Sequence, residues 1–191
     1  MSDLLLDCIE SLKDILGDKN VLTQSDLCEY YSQDVFARGE VFAVVIQPRS
    51  INDLSRAIKK INDVGLPICP RGGGYSYTDA YIALKRHSVC LDLQYLNQVI
   101  EVNTEDMFVT VEAGCTWESL DIVLKEYAVR AEFWGPLSGY KATIGGAISQ
   151  GAASLGSAKH GMSAESVLGI EILTSSGDLF STGSSAQEGK S

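Results

Sequence analysis

The feature that most constrains the fold of this chain is a run of three glycines that directly follows a short apolar strand. Residues 66–70 have the pattern of a buried strand, and the segment that continues them is Arg71, Gly72, Gly73, Gly74, Tyr75 and Ser76. Glycine allows a tight turn and a close approach of other groups, and successive amides in such a turn can form an anion-binding nest. The pattern therefore predicts a loop that either binds an anion such as a diphosphate or only connects two strands.

The rest of the chain shows periodicities typical of helices and short strands. Ser25, Ser50 and Thr116 stand where a hydroxyl could cap a helix. The order of elements predicts a mixed α/β architecture of two small lobes, with the break near residues 95–105. In the first lobe we expect helices at 3–16 and 25–32, then a β-α-β unit made of a strand at 42–46, a helix between 50 and 65 and a strand at 66–70, and a further strand at 89–93. In the second lobe we expect a hairpin of 98–103 with 107–112, a helix after 116, and a hairpin of 167–174 with residues from 179 onwards.

Charge and composition limit the possible partners. The chain carries 25 acidic and 15 basic side chains, a formal net charge of −10, so neither a nucleic acid nor an acidic membrane surface is an expected partner. No uncharged apolar run approaches the roughly 18 residues of a transmembrane helix, and the first residues lack the basic region of a secretory signal. With five cysteines that form no CxxC pair and two distant histidines, the sequence predicts a cytoplasmic protein without a metal site.

A second glycine-rich segment lies between residues 136 and 161. A hairpin and a helix separate it from the first, so one extended ligand could contact both segments, although close packing of a helix on a sheet would use the same glycines. The dinucleotide fingerprint GxGxxG is absent, because Tyr77 stands where its last glycine is required. The ending Gly189-Lys190-Ser191 is not a Walker A loop, because Ser184 replaces the first glycine.

Six short motifs occur in a characteristic order, at residues 45–50, 70–74, 91–97, 111–114, 142–146 and 167–171. This ordered set resembles the FAD-binding domain of the vanillyl-alcohol oxidase / p-cresol methylhydroxylase (PCMH) superfamily, nearest the D-lactate dehydrogenase and glycolate oxidase group. The resemblance implies an α+β fold of two lobes: a small β-α-β lobe, and a mixed, largely antiparallel sheet flanked by helices. It places an N-terminal helical segment at residues 1–36 and the FAD-binding domain at 37–191, with lobes of about 37–100 and 101–191.

The resemblance also implies which residues bind FAD. The pyrophosphate would be held by Arg71, Gly72, Gly73, Gly74, Tyr75 and Ser76. The diphosphate and ribityl region would contact Pro136, Thr143, Gly145, Gly146 and Ser149. The segment along the flavin would include Gly156, His160 and Gly161, and the backbone that contacts adenine would include Val167 and Ile170. This set uses mainly backbone amides, as an acidic protein that binds a dianion requires.

Two departures from the family pattern refine these expectations. Some relatives carry a histidine in the first loop that bonds covalently to the flavin; here Gly74 and Tyr75 occupy that neighbourhood, so FAD is expected to be noncovalent at this loop. Lys159 and His160 replace the more usual Arg-Tyr pair before a glycine. His160 could therefore hydrogen-bond near the flavin or pack within its own loop.

The implied function is that of the FAD-binding domain of a flavin-dependent oxidoreductase that oxidises a small alcohol or 2-hydroxy acid. Family enzymes continue into a cap domain that covers the flavin and carries most catalytic groups. No such domain is present here, so the chain is expected to be a fragment whose substrate site requires the missing cap domain or a second subunit. A noncatalytic FAD-binding module and an FAD-dependent sugar-nucleotide reductase of the same superfamily remain the alternatives.

No catalytic residue is nominated, because Asp79, Asp92 and Glu112 are expected to be structural or solvated. The diphosphate, in contrast, has an expected position beside Gly73. Replacing Gly73 by Asp is accordingly expected to remove FAD binding while the fold survives.

Overall fold

The structure is a computed structural model that describes residues 3–132 and 138–183. Two short apolar strands form the centre of its first lobe. β-branched and other apolar residues at 44–46 and 89–91 are fully or almost fully buried, as is typical of parallel strands covered on both faces. The elements of this lobe are α1 (Asp3–Leu16), β1 (Val21–Leu22), α2 (Ser25–Tyr31), β2 (Val44–Ile46), α3 (Ile51–Asp63), β3 (Ile68–Arg71) and β4 (Val89–Asp92).

These strands form one sheet in the order β1-β2-β4-β3. β4 runs parallel to both β2 and β3, and β1 pairs antiparallel with β2. The predicted β-α-β unit is therefore confirmed, although β4 lies between its two strands. The pairing of β3 with β4 places Arg71 opposite Asp92 at the carboxyl ends of the strands, and this edge of the sheet leads into the first glycine segment.

Two helices cover one face of this sheet. The apolar faces of α1 and α3 bury Leu12 and Ile61 in the same core as Val44 and Ile46 of β2, so the N-terminal helix shares its core with the sheet.

Three helix-capping residues were expected from the sequence. The Ser50 hydroxyl accepts the Asp53 amide, and the Thr116 hydroxyl accepts the Ser119 amide, as predicted. The Ser25 cap was wrong: Ser25 is already the first helical residue, and Gln24 before it makes no side-chain cap.

The second lobe contains two antiparallel hairpins and three short helices. Its elements are β5 (Val99–Asn103), β6 (Phe108–Val111), α4 (Trp117–Glu126), α5 (Ile144–Ser149), α6 (Ser157–His160), β7 (Gly169–Leu173) and β8 (Leu179–Gly183). Both predicted hairpins and the α+β class are confirmed. The pairing differs in one respect: among the described residues, β5-β6 and β7-β8 are separate two-stranded sheets rather than parts of one sheet.

The turn between β7 and β8 contacts the first lobe. The Ser55 hydroxyl of α3 donates to the Gly177 carbonyl at 2.6 Å, and Lys59 lies 3.6 Å from the Asp178 carboxylate. A hydrogen bond from Ser176 and the charge of Lys59 lower the pKa of Asp178. The turn of the second hairpin is thus fastened to α3 of the first lobe.

The cysteines behave as small apolar residues. All five are free, and Cys28, Cys69 and Cys90 pack in one core cluster with Phe42 and Val45. Burial raises the pKa of each of these three thiols and raises that of Cys115 to about 11. A raised pKa keeps the thiol protonated and poorly nucleophilic, which indicates a structural role for these cysteines.

None of the described helices has the length and apolarity needed to cross a bilayer.

A carboxylate, that of Asp92, is buried inside the first lobe. Asp92 is only 3% exposed, yet its carboxylate accepts hydrogen bonds from Tyr31 Oη at 2.8 Å, Gln47 Nε2 at 2.9 Å and Gln94 Nε2 at 2.7 Å. Burial and the adjacent Asp92 charge raise the pKa of the Tyr31 phenol, so it remains a donor.

These hydrogen bonds join α2, the end of β2 and the end of β4 at one point. A buried carboxylate is tolerated only when donors surround it, and removing it would leave those donors unsatisfied. Asp92 is therefore structural, which agrees with the expectation that it is not a catalytic base.

We predict that Asp92→Ala lowers the free energy of unfolding by about 3 kcal/mol or more, because the buried Gln47 and the half-buried Tyr31 lose their acceptor. Tyr31→Phe, which removes one donor and leaves the others in place, should cost about 1–2 kcal/mol. Both values can be measured by urea denaturation of the ligand-free protein.

Asp63→Ala serves as the control, since Asp63 is exposed at the end of α3. It should change stability by no more than about 0.5 kcal/mol. An equal effect of Asp92→Ala and Asp63→Ala would show that the buried cluster does not stabilise the fold.

Candidate functional site

The two glycine-rich segments, far apart in the sequence, lie against each other in the structure. A Cβ atom at Gly73 would overlap the carbonyl oxygen of Lys141, and one at Gly72 would overlap the hydroxyl of Thr143. The main chain of the first loop thus packs directly on residues 141–143. An extended ligand bound along the first loop would also lie near the beginning of α5, as the spacing of the segments predicted.

This packing corrects one expectation. From the sequence alone, Gly73→Asp is expected to remove the ligand while the fold survives. In the structure the space beside the Gly73 Cα is filled by the Lys141 main chain, and a backbone atom cannot yield as a flexible side chain can. Any side chain at Gly73 must therefore shift the two segments apart, so we expect Gly73→Asp to destabilise the fold as well as to remove the ligand.

Amides of the first loop are available for a ligand. Among the residues that the structure describes, the N–H groups of Gly72, Gly73 and Gly74 find no hydrogen-bond acceptor. Gly74 adopts a left-handed backbone conformation with φ of 71°, which glycine tolerates best. Three successive unsatisfied donors form a cradle suited to an anion.

The amides at the beginning of α5 are already used within the protein. Ile144 N–H donates to the Cys115 carbonyl at 2.8 Å, and Gly145 N–H donates to the Ala113 carbonyl at 3.0 Å. Gly146 N–H donates to the Thr143 hydroxyl at 3.2 Å. At the beginning of α5 the second segment therefore supports the first loop through packing, and its amides there are not free for a ligand.

Arg71 has a different environment from the one expected of a ligand-binding cation. Its guanidinium donates to the carbonyls of Tyr31 at 3.1 Å and Gln33 at 3.4 Å. It also lies 5.1 Å from the ring centroid of Tyr31 and 4.6 Å from that of Tyr81. These contacts fasten the end of α2 to the glycine loop, with the positive charge remaining close to the loop.

Three tyrosines surround the loop. Tyr81 Oη donates to the Gly74 carbonyl at 2.7 Å. Tyr75 and Tyr140 hydrogen-bond through their hydroxyls at 2.6 Å, with the rings edge to face, and this hydrogen bond raises the pKa of Tyr75. Beside the loop, a cavity of about 300 Å³ opens between Tyr30 and Asp34 on one side and Gly74 and Tyr75 on the other.

A polar cluster forms a second connection between the two segments. Gln150, directly after α5, donates through Nε2 to the hydroxyl of Ser76 and, at 3.4 Å, to that of Thr78. Sequence reasoning missed Thr78, Tyr81, Tyr140 and Gln150. No spacing or composition marks them, because their positions depend on how the two segments meet.

The other predicted ligand-binding residues lie further along the second lobe. Ser149 donates back to the Gly145 carbonyl at 2.7 Å. Gly156 and Gly161 flank α6 with φ of 112° and 82°, and His160 Nδ1 lies 3.8 Å from Glu132. Val167 is half-buried before β7 and Ile170 is partly exposed within it. Pro136 lies outside the described residues.

The other two acidic residues singled out in the sequence, Glu112 and Asp79, interact with groups of the protein itself. Glu112 accepts the Gln98 amide at 2.8 Å. Asp79 interacts with Asp34, whose hydrogen bond raises the pKa of the Asp79 carboxyl, while the amides of Ala37 and Phe36 lower that of Asp34. Within residues 3–132 and 138–183, no three His, Cys, Asp or Glu side chains form a group that could hold a metal ion.

Comparison with known proteins gives one family match. The model of the family described as "FAD binding domain" matches residues 42–183. The mitochondrial D-lactate dehydrogenase [cytochrome] of Arabidopsis thaliana is 31% identical over 183 residues, which is 94% of this chain and 31% of that protein. The glycolate oxidase subunit GlcD of Bacillus subtilis is 29% identical over 141 residues, 73% of this chain and 29% of that protein.

Solved structures show the same fold. p-Cresol methylhydroxylase with substrate bound superposes with a TM-score of 0.84 at 19% identity, over 100% of this chain and 37% of that one. Alkyldihydroxyacetonephosphate synthase superposes with a TM-score of 0.83 at 17% identity, over 97% of this chain and 39% of that one. The chain thus spans only about a third of the length of the relatives it matches.

The contact between the segments leads to a prediction. Gly73→Ala should lower the free energy of unfolding by about 1–3 kcal/mol or more, because the new methyl group meets a backbone carbonyl in a packed contact. Gly146→Ala is the matched control: its Cβ would lie 3.0 Å from the movable Thr143 hydroxyl. Thermal unfolding of the ligand-free variants should therefore show a larger loss for Gly73→Ala; equal losses would contradict the close approach.

Proposed function

The chain belongs to the FAD binding domain family, and from that premise we propose that it is the FAD-binding domain of a flavin-dependent oxidoreductase that oxidises a small alcohol or 2-hydroxy acid. The family match covers residues 42–183, and FAD is the cofactor of this family. The substrate class is supported by the relatives named for D-lactate and glycolate.

The observation that carries the proposal is the row of unsatisfied amides at Gly72, Gly73 and Gly74. The protein has a net charge of −10, so its overall field repels a diphosphate. Backbone amides attract the anion locally without adding basic side chains. Arg71 adds a positive charge beside the loop, while its guanidinium donates to the Tyr31 carbonyl and lies over the Tyr81 ring. The residues present therefore fit the diphosphate of FAD.

The other predicted contacts extend the site into the second lobe. We propose that Thr143, Gly145 and Gly146 limit the space beside the diphosphate, because their segment packs on the first loop. Ser149 would contact the diphosphate and ribityl region, Gly156, His160 and Gly161 would follow the flavin, and Val167 and Ile170 would contact the adenine. FAD, when bound, supplies the two-electron acceptor for substrate oxidation; the residues of this chain bind and orient it.

The substrate site is proposed to need more polypeptide than this chain contains. The chain covers 31% of the D-lactate dehydrogenase and 29% of the glycolate oxidase subunit. Among the described residues, Asp92 and Glu112 are engaged in structural hydrogen bonds and offer no free base beside the loop. We propose that a cap domain or a second subunit supplies the catalytic groups and closes over the flavin.

We also propose that the FAD-binding domain spans 37–191, with lobes of about 37–100 and 101–191, and that the helical segment at 1–36 is an N-terminal addition that packs on the first lobe, since α1 shares its core and β1 joins its sheet. The cytoplasm is the proposed location. Five free cysteines support a reducing compartment.

We predict that the purified chain binds FAD noncovalently, and that ADP competes with it because both carry a diphosphate. Binding can be followed by the quenching of flavin fluorescence. After acid precipitation of the loaded protein, the absorbance bands of oxidised flavin should appear in the supernatant. Flavin that stays with the precipitate would contradict noncovalent binding, and a chain that binds no FAD would overturn the proposal.

The reaction is tested on the full-length gene product. Reduction of bound flavin by D-lactate, glycolate or another 2-hydroxy acid would support the proposed oxidoreductase. Consumption of NADPH with a sugar nucleotide, but no reduction by 2-hydroxy acids, would support a reductase instead. A full-length protein that binds FAD and performs neither reaction would be a noncatalytic module.

A further inference from the structure

Ser76, Thr78 and Gln150 form a polar cluster at the end of the first glycine loop. Gln150 Nε2 donates to Ser76 Oγ and, at 3.4 Å, to Thr78 Oγ1. The Thr78 amide donates to Ser76 Oγ at 3.3 Å, and the two hydroxyls are 2.8 Å apart, with either able to donate. Gln150 belongs to the second glycine segment, so this cluster also joins the two segments.

The directions of these hydrogen bonds follow from counting lone pairs. A serine or threonine hydroxyl has two lone pairs and one hydrogen. Both lone pairs of Ser76 Oγ are used, one by Gln150 Nε2 and one by the Thr78 amide. Ser76 cannot accept a third hydrogen, so its own hydrogen must be the one that lies between the two hydroxyls.

The same count applied to Thr78 leaves one donor unused. Thr78 Oγ1 accepts from Ser76 and from Gln150 Nε2, so both of its lone pairs are used and its hydrogen is free to donate. Within the described part of the chain, no acceptor for that hydrogen is present. Thr78 is exposed, whereas Ser76 is half-buried, so a ligand on the solvent side of the loop can reach the Thr78 hydroxyl.

This oriented hydroxyl follows the free amides of Gly72, Gly73 and Gly74 along the same loop. An anion in the amide cradle would therefore have one more donor at the end of the loop. Because the hydrogen-bond chain fixes its orientation before the ligand arrives, little rotational freedom remains to be lost on binding.

We infer that Thr78 donates its hydroxyl hydrogen to the diphosphate of the bound cofactor. We also infer that Gln150 is a positioning residue, which fixes the direction of the hydrogen bonds that run from Gln150 through Ser76 to Thr78. The inference rests on the proposed binding of FAD. In this arrangement the Ser76 hydroxyl transmits the direction to Thr78 and does not itself donate to the ligand.

The experiment compares FAD dissociation constants measured by fluorescence quenching. Thr78→Val removes the hydroxyl at constant shape and should weaken FAD binding about tenfold or more, the usual effect of losing a hydrogen bond to a charged group. Thr78→Ser keeps the hydroxyl and should stay within about threefold of the wild type. Thr110→Val, at an exposed threonine of β6, is the matched control and should change nothing.

A spectroscopic readout separates contact from a structural role. The ³¹P resonances of protein-bound FAD should shift in Thr78→Val and remain in place in Thr110→Val, because only the first variant alters a group beside the phosphorus atoms. The melting temperature of the ligand-free protein should be the same in both variants.

The positioning role of Gln150 is tested by a double-mutant cycle. Gln150→Met frees a lone pair on Ser76, so that Thr78 can turn its hydrogen inward and FAD binding weakens. In the Thr78→Val background, Gln150→Met should have no further effect, because the group it orients is gone. Additive losses would overturn the positioning role.

The outcomes distinguish this inference from the proposed function. If the wild type binds FAD and Thr78→Val binds equally well, or if its ³¹P resonances do not move, the role of Thr78 is wrong and the proposed function stands. If the wild type does not bind FAD, the proposed function fails and this inference fails with it.

Discussion

The candidate site depends on the direct contact between the main chain of the first glycine loop and residues 141–143. Gly73 meets the Lys141 carbonyl so closely that even a methyl group would not fit. This contact sets the distance between the two glycine segments, and the hydrogen bonds between Tyr75 and Tyr140 and between Ser76 and Gln150 can form only at that distance. Two neighbouring glycines therefore determine how the lobes meet, as well as the shape of the loop.

The charged side chains near the site mainly make hydrogen bonds that stabilise the fold. Asp92 is buried and accepts hydrogen bonds from three side chains, while Arg71, opposite it on β3, binds the carbonyls at the end of α2. Together they fix the strand end from which the loop begins. The loop itself offers only dipoles, the free amides of Gly72, Gly73 and Gly74. In a protein with a net charge of −10, this local arrangement lets an anion bind against an unfavourable overall field.

Much of the fold could be predicted from the sequence, because local signals determine it. The 3.6-residue spacing predicted α1, the Ser50 and Thr116 hydroxyls predicted the beginnings of α3 and α4, and strand alternation predicted both hairpins. The Ser25 cap failed because a cap depends on backbone angles that a serine alone does not specify. The contact of the Gly177 turn with Ser55 could not be predicted, because it joins residues 122 positions apart in the sequence.

For the site, the sequence by itself determined the kind of chemistry. Consecutive glycines after a strand predict free amides, and an acidic composition requires that amides rather than surplus cations hold an anion. Only the tertiary structure decided which glycines serve the ligand and which serve packing. Gly145 and Gly146 donate within the protein, Gly73 has no room for a side chain, and Thr78 and Gln150 meet across 72 residues of sequence. The physical reason is that backbone freedom is a property of one residue, whereas hydrogen-bond satisfaction depends on partners that only the folded chain brings within reach.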